Sequence, residues 1–300
     1  MAVNTNYDII GDIHGHADAL ERLLQKLGYT RRFGVYSHPE KRQVVFVGDF
    51  IDRGPKIRET LHLVRDMVLS GNAQAVIGNH EFNAISFHTP HTEKGGFFRD
   101  HSLKEITQHI ETLDQFRYYD SEWAEFLDWF RTLPLFLEFD SFRVVHACWD
   151  DQHIQFLQNH SKGITEDFLS RGNDKNDRSG FYAAIEETLK GKESILPDGH
   201  SFFDKDGNER YECRIRWWRD PASREKLKDI LIACPEEIAD QKIQDHYYAY
   251  TNPKPVFFGH YWLQGKPRIE NPQAVCLDYS VAKGGVLVAC RLGDGMKLIY

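Results

Sequence analysis

Short apolar runs that each end in a cluster of glycine and charged residues recur through the first half of this chain. That feature constrains the fold more tightly than any other. Residues 7–10 run into Gly11-Asp12-Ile13-His14-Gly15. Residues 44–47 run into Gly48-Asp49-Phe50-Ile51-Asp52-Arg53-Gly54-Pro55, and residues 73–77 into Gly78-Asn79-His80-Glu81. Between the first two lie Leu20, Leu23, Leu24 and Leu27, at the spacing of one helix face. Asp18 with Glu21 predicts a capping box at its start, and Gly28 a stop. Ile57, Leu61, Val64 and Val68 mark a second helix that Gly71 ends. Strands alternating with helices need crossover connections, hence a largely parallel sheet at this end of the chain.

The remainder is less regular. Residues 82–133 read as mostly helical, with a polar interruption over 90–96. Residues 142–145 form a strand running into His146, and 255–258 another running into Gly259-His260. Strand-like runs at 274–277, 286–292 and 297–300, with Gly293-Asp294-Gly295 as a hairpin turn, predict antiparallel β-structure at the end. Residues 150–250 fit the rhythm least, and 172–180 and 197–208 are polar and loop-like. They read as an insertion, a cap within one domain over 1–300.

Charge narrows the function. Lys and Arg total 37 against 45 Asp and Glu, a net charge of −8. Such a chain is a poor candidate for non-specific nucleic-acid or membrane binding. No apolar run approaches a membrane span, and the first residues lack a signal-peptide pattern. Cys148, Cys213, Cys234, Cys276 and Cys290 form no CxxC pair. They read as reduced, mostly structural thiols of a cytoplasmic protein.

In open α/β sheets, ligands bind outside the carboxyl ends of the strands. Five such ends deliver Asp12 with His14, Asp49, Asn79 with His80, His146, and His260. This mixture of carboxylate, imidazole and amide suits Mn, Fe, Zn or Co better than Ca or Cu(I). Six ligands exceed what one catalytic ion with an open position takes. They suit two ions sharing a carboxylate.

GDIHG at 11–15, GDFIDRG at 48–54, GNHE at 78–81, His146 and Gly259-His260 together resemble the phosphoprotein-phosphatase branch of the calcineurin-like metallophosphoesterases. The ending Cys276-Leu277-Asp278-Tyr279-Ser280, then Lys283-Gly284-Gly285, resembles bacterial members near the symmetrical diadenosine tetraphosphatases. The resemblance covers 7–85, 133–149 and 255–300, and is thin over 86–132 and 150–250. It implies an α/β fold of two mixed sheets in a sandwich flanked by helices, with a dimetal site at one edge. It implies one divalent transition-metal ion on Asp12, His14 and Asp49, and a second on Asp49, Asn79, His146 and His260. A hydroxide bridging the two would attack phosphorus in line. It further implies His80 as general acid, Asp52 fixing its tautomer, and Arg53 on the phosphoryl oxygens. For the second phosphate-binding arginine of such enzymes, Arg219 is favoured, with Arg216 next and Arg214 also in reach. Where the family has His-Gly-Gly, this chain has His146-Ala147-Cys148.

The expected reaction is hydrolysis of a phosphoester or phosphoanhydride, on a nucleotide or other small phosphorylated substrate, with Mn the expected metal in vitro. The alternatives are a serine/threonine-type protein phosphatase acting on phosphoproteins and, from another class, a nucleic-acid end-processing or binding protein. Cys148 reads as small apolar filler. His88, His91, His101 and His109 read as a solvated histidine-rich loop rather than a third metal site. The acidic run over 111–128 reads as a solvated helix face. Trp217 and Trp218 either pack in the core or stack on a substrate ring.

Overall fold

The computed structural model describes residues 6–203, 209–243 and 247–300. Part of the expected loop over 197–208 therefore lies outside the described residues. Nine strands build two mixed sheets: β1 (Tyr7–Ile10), β2 (Gln43–Phe46), β3 (Ala73–Ala75), β4 (Phe136–Glu138), β5 (Arg143–Val145), β6 (Val256–Phe258), β7 (Ala274–Cys276), β8 (Ala289–Leu292) and β9 (Met296–Ile299). One sheet has the order β9-β8-β1-β2-β3 and the other β7-β6-β5-β4. β1, β2 and β3 are parallel neighbours, while β8 and β9 join antiparallel. β5, β6 and β7 are parallel, with β4 antiparallel at the edge.

The two sheets bury their facing sides against each other. Ile9, Val45 and Cys290 from one meet Val144, Phe257 and Val275 from the other. Strands covered on both faces read as continuous apolar runs, and for that reason they are visible in the sequence. Helices α1 (Ala17–Lys26), α2 (Ile57–Leu69), α3 (Asn79–His88), α4 (Leu103–Phe116) and α5 (Asp120–Thr132) cover the outer side of the first sheet. Trp149, Trp217, Trp218 and Ile230 cover the outer side of the second.

Several local expectations change. The capping box at α1 is absent: its N-cap is His16, and Asp18 pairs with Lys56 at 2.7 Å instead. The run over 286–292 splits into Val286–Leu287 and β8. The hairpin after β8 forms as predicted, with Gly293 N–H donating to the Gly295 carbonyl. Trp217 and Trp218 are 0% and 2% exposed, so the stacking option is closed to them and they are core. Cys148 is buried filler, and burial raises its thiol well above the usual range. Within 150–250 the described residues form helices α6 (Asp151–His160), α7 (Glu166–Asn173), α8 (Phe181–Lys190) and α9 (Leu227–Ile230). They also form a two-stranded ribbon pairing Glu193–Ile195 with Glu212–Arg214. Among the described residues no helix is long and apolar enough to cross a membrane.

Candidate metal centre

The loops leaving β1, β2, β3, β5 and β6 converge at one edge of the sandwich, as parallel strands require. Asp12, His14, Asp49, Asn79, His80, His146 and His260 are all buried there. Asp49 lies at the middle. Its Oδ2 is 3.5 Å from His14 Nε2, and its Oδ1 is 3.5 Å from His146 Nε2. Two groups of ligand-type atoms share it: His14, Asp49 and His80, and Asp49, His146 and His260. Asn79 Oδ1 sits 3.0 Å from His146 Nε2 and 2.8 Å from His260 Nδ1. Asp12 Oδ2 accepts from the His260 N–H at 2.9 Å.

Each imidazole is aimed by its other nitrogen. His14 Nδ1 donates to the Ile51 carbonyl and His146 Nδ1 to the Val47 carbonyl, which turns both Nε2 atoms towards Asp49. The backbone is bent to deliver these groups. His14, Asp49, Asp52, Arg53 and His260 all have positive φ, a conformation costing roughly 1–2 kcal/mol per residue outside glycine. Glu81 holds the 48–54 loop in place. Its carboxylate accepts the N–H groups of Asp49, Phe50, Ile51 and Gly78. Two glycines permit the close approach of carboxylates. A Cβ on Gly259 would lie 1.7 Å from Asp12 Oδ1, and one on Gly78 would lie 2.2 Å from Asp49 Oδ1.

The donor set fits cations. Asp12 Oδ1, His14 Nε2 and His260 Nε2 are buried with no hydrogen-bond partner, a costly state unless something binds them. Burial pushes His14 down to about 3 and His260 well below its usual value, so both present lone pairs. Burial, then the charges of Asp278 and Asp49, pushes Asp12 well up. Glu81 rises to about 7 through burial and the Asp49 charge, and burial drives Asp278 to about 6. Crowded carboxylates that resist ionising together are what bound positive charge would relieve.

Beside this cluster, His80 Nδ1 donates to Asp52 Oδ2 at 2.5 Å, and its Nε2 lies 3.3 Å from Arg53 Nη2. Burial lowers the His80 imidazole, but the charge of Asp49 and the hydrogen bond to Asp52 outweigh it and leave it raised. Arg53 stacks over Trp262 at 4.2 Å, and Lys283 lies over the same ring at 3.9 Å.

The three candidate arginines, Arg214, Arg216 and Arg219, diverge. Arg219 faces Asp229 and Glu270 at 3.7 and 3.9 Å. Arg216 donates to the Lys228 and Leu231 carbonyls. Arg214 Nε lies 3.8 Å from Glu193 Oε1 and makes no hydrogen bond, and its charge bears on both His146 and His260.

Sequence reasoning passes over Glu81, Asp278, Trp262, Thr112 and the role of His109. Only Glu81 leaves a signal, as the third helical residue after a glycine N-cap. The solvated histidine-loop reading fails for His109, which is 6% exposed and donates to Asp52, and for half-buried His88.

Residues 6–261 match the calcineurin-like phosphoesterase family. The chain belongs to that family. Among curated relatives it is similar to bis(5'-nucleosyl)-tetraphosphatase PrpE [asymmetrical] of Halalkalibacterium halodurans, 50% identical over 74 residues, which is 25% of this chain and 30% of that one. The protein of the same name from Oceanobacillus iheyensis is 34% identical over 140 residues, 47% of this chain and 54% of that one. These alignments thus span about a third to half of the relatives' length. A protein serine/threonine phosphatase from Saccharomyces cerevisiae shares the fold, with a TM-score of 0.50, 14% identity, and coverage of 99% of this chain and 80% of that one.

Proposed function

We propose that this chain is a dimetal phosphoric ester hydrolase acting on a nucleotide or another small phosphorylated substrate. The observation that carries the reading is Asp49, whose two carboxylate oxygens each lie 3.5 Å from the Nε2 of a different histidine. A carboxylate so placed can serve two ions at once. Asp12, His14 and Asp49 would hold one, and Asp49, Asn79, His146 and His260 the other, with manganese the first choice in vitro. When bound, two such ions supply Lewis-acid polarisation of the phosphoryl group and of the attacking water.

The chain's own residues do the rest. His80 donates a proton to the leaving oxygen from Nε2, while Asp52 takes the Nδ1–H and stabilises the imidazolium. Arg53 now donates towards His80 Nε2. Transfer of its guanidinium to a phosphoryl oxygen frees that nitrogen to carry the proton. We assign the second phosphate contact to Arg214 rather than Arg219. The charge of Arg214 bears on His146 and His260, whereas Arg219 faces Asp229 and Glu270.

The names of the curated relatives support a nucleotide substrate, as does half-buried Trp262 beside Arg53. In the same reading, residues 150–250 act as a cap that brings the Arg214 ribbon over the centre and limits access to small substrates. A panel of dinucleoside polyphosphates, mononucleotides and phosphopeptides with added Mn²⁺ tests it. Nucleotides should show kcat/KM at least about ten-fold above phosphopeptides, a difference of roughly 1.4 kcal/mol in transition-state stabilisation. The reverse order would favour the protein phosphatase reading.

A further inference from the structure

We propose that His109, on α4, is a positioning residue for His80, acting through Asp52. The proposal rests on the reading of His80 as general acid. Asp52 is 3% exposed, and its backbone is left-handed at φ 66°, so no regular secondary structure fixes its carboxylate. Three side-chain donors fix it instead. His80 Nδ1 takes Oδ2, while His109 Nδ1 at 2.7 Å and Thr112 Oγ1 at 2.6 Å both take Oδ1. The Thr112 hydroxyl also accepts the Asp52 N–H at 3.1 Å, so backbone and carboxylate are tied to the same helix face.

The donor roles follow from the partners. Asp52 is held well below the usual carboxylate range: burial opposes this, but hydrogen bonds and charge from His109 and His80 prevail. An ionised carboxylate only accepts, so both imidazoles give it their Nδ1–H. His109 Nε2 lies 3.3 Å from His88 Nε2. With its Nδ1–H given to Asp52, His109 faces His88 through Nε2, where His88 can donate. Burial pushes His88 down to about 4, so it is neutral and has one N–H to give. The result is a chain from His88 through His109 and Asp52 to His80. It spans the wall shared by α3 and α4.

The consequence is specific. A carboxylate bonded only to His80 could rotate about its side-chain torsions, and His80 with it. Clamped on its far oxygen, Asp52 presents Oδ2 at one angle, and so fixes the direction in which His80 Nε2 points. Gln115 holds the same loop by bonding the Ile57 N–H and the Gly54 carbonyl, so loop anchoring does not depend on His109 alone.

The test compares phenyl phosphate, a poor leaving group, with nitrophenyl phosphate, a good one, on the Mn²⁺-loaded chain. His109→Ala should lower kcat on phenyl phosphate about 10- to 100-fold, the range for one hydrogen bond to a charged group, with a much smaller change on nitrophenyl phosphate. His109→Asn, whose amide nitrogen replaces Nδ1, should recover most of the loss. His109→Gln, whose amide sits where Nε2 was, should not. His80→Asn is the reference. If His80→Asn is selective for the poor leaving group while the His109 variants lose both substrates equally, or neither, the positioning role is overturned and His80 stands. If His80→Asn itself loses both equally, the general-acid reading falls first. Should His109→Ala fail to fold, the contrast between Asn and Gln decides, and equal activity of those two overturns the proposal.

Discussion

At the residue scale, the proposed roles of His80 and the candidate arginines can be examined one at a time. His80→Asn should lower kcat on poor leaving groups by about 10²–10⁴, the usual worth of a general acid, while metal content stays unchanged. Loss of bound metal in this variant would show His80 to be a ligand, as its place beside His14 and Asp49 also permits. Arg214→Ala should raise KM about ten-fold more than Arg219→Ala, because the Arg214 charge bears on His146 and His260 while Arg219 faces Asp229 and Glu270. Equal effects would return the assignment to the sequence-based choice. Gly259→Ala would press a methyl into Asp12 and should weaken metal binding about 10- to 100-fold. Gly293→Ala, in open space, should not. Metal titration of activity separates the two. Most of these positions are legible in the sequence because each follows a strand. Arg214 is not, since nothing in Arg214-Ile215-Arg216 says which side of a ribbon faces the site.

At the scale of elements, legibility follows burial. β1, β2, β3, β5, β6 and β7 are largely buried, so their apolar runs locate them to within a residue or two, whereas the half-buried edge strand β4 is passed over and the run over 286–292 starts three residues before β8. α4 is recognisable as helical, but its apolar residues only partly mark its inner face, which also carries polar groups beside Phe116. Ile110 and Leu103 are 47% and 81% exposed, whereas His109 and Thr112 are buried. A polar face turns inward because it feeds hydrogen bonds to a strained loop, and periodicity cannot report that. β1 offers a test of the sandwich's other end. Asp8, fully buried, accepts from Arg42, Arg291 and Tyr29. Its carboxyl is held below the usual range: burial opposes this, and the two guanidinium groups overcome it. Asp8→Ala removes the buried carboxylate from Arg42 and Arg291, which keep their carbonyl acceptors, and should cost about 3–5 kcal/mol. A depressed native pKa adds stability above about pH 4, and that stability is lost as pH falls through the native value. Thermal melts from pH 6 down to pH 3 should therefore converge for wild type and variant. Curves that stay parallel at a constant offset would show that the contribution of Asp8 does not depend on its ionisation.

At the scale of the whole molecule, five strand ends from two sheets bring together residues as distant in sequence as Asp12 and His260. The order of the motifs along the chain is enough to imply this convergence, because each motif follows a strand and parallel strands end on one side. The stretch proposed as a cap is not legible in the same way, since residues 150–250 follow no single period and Trp217 and Trp218 suit packing and stacking equally. The claim on which the reading depends is that Asp49 serves two cations. Elemental analysis of the Mn²⁺-reconstituted, desalted chain measures it most directly, alongside Asp49→Ala. The account predicts close to two ions per wild-type chain and loss of both in the variant, because one carboxylate is common to both sets of ligands. One ion per chain with full hydrolase activity, or an Asp49→Ala variant that keeps both ions, would contradict it.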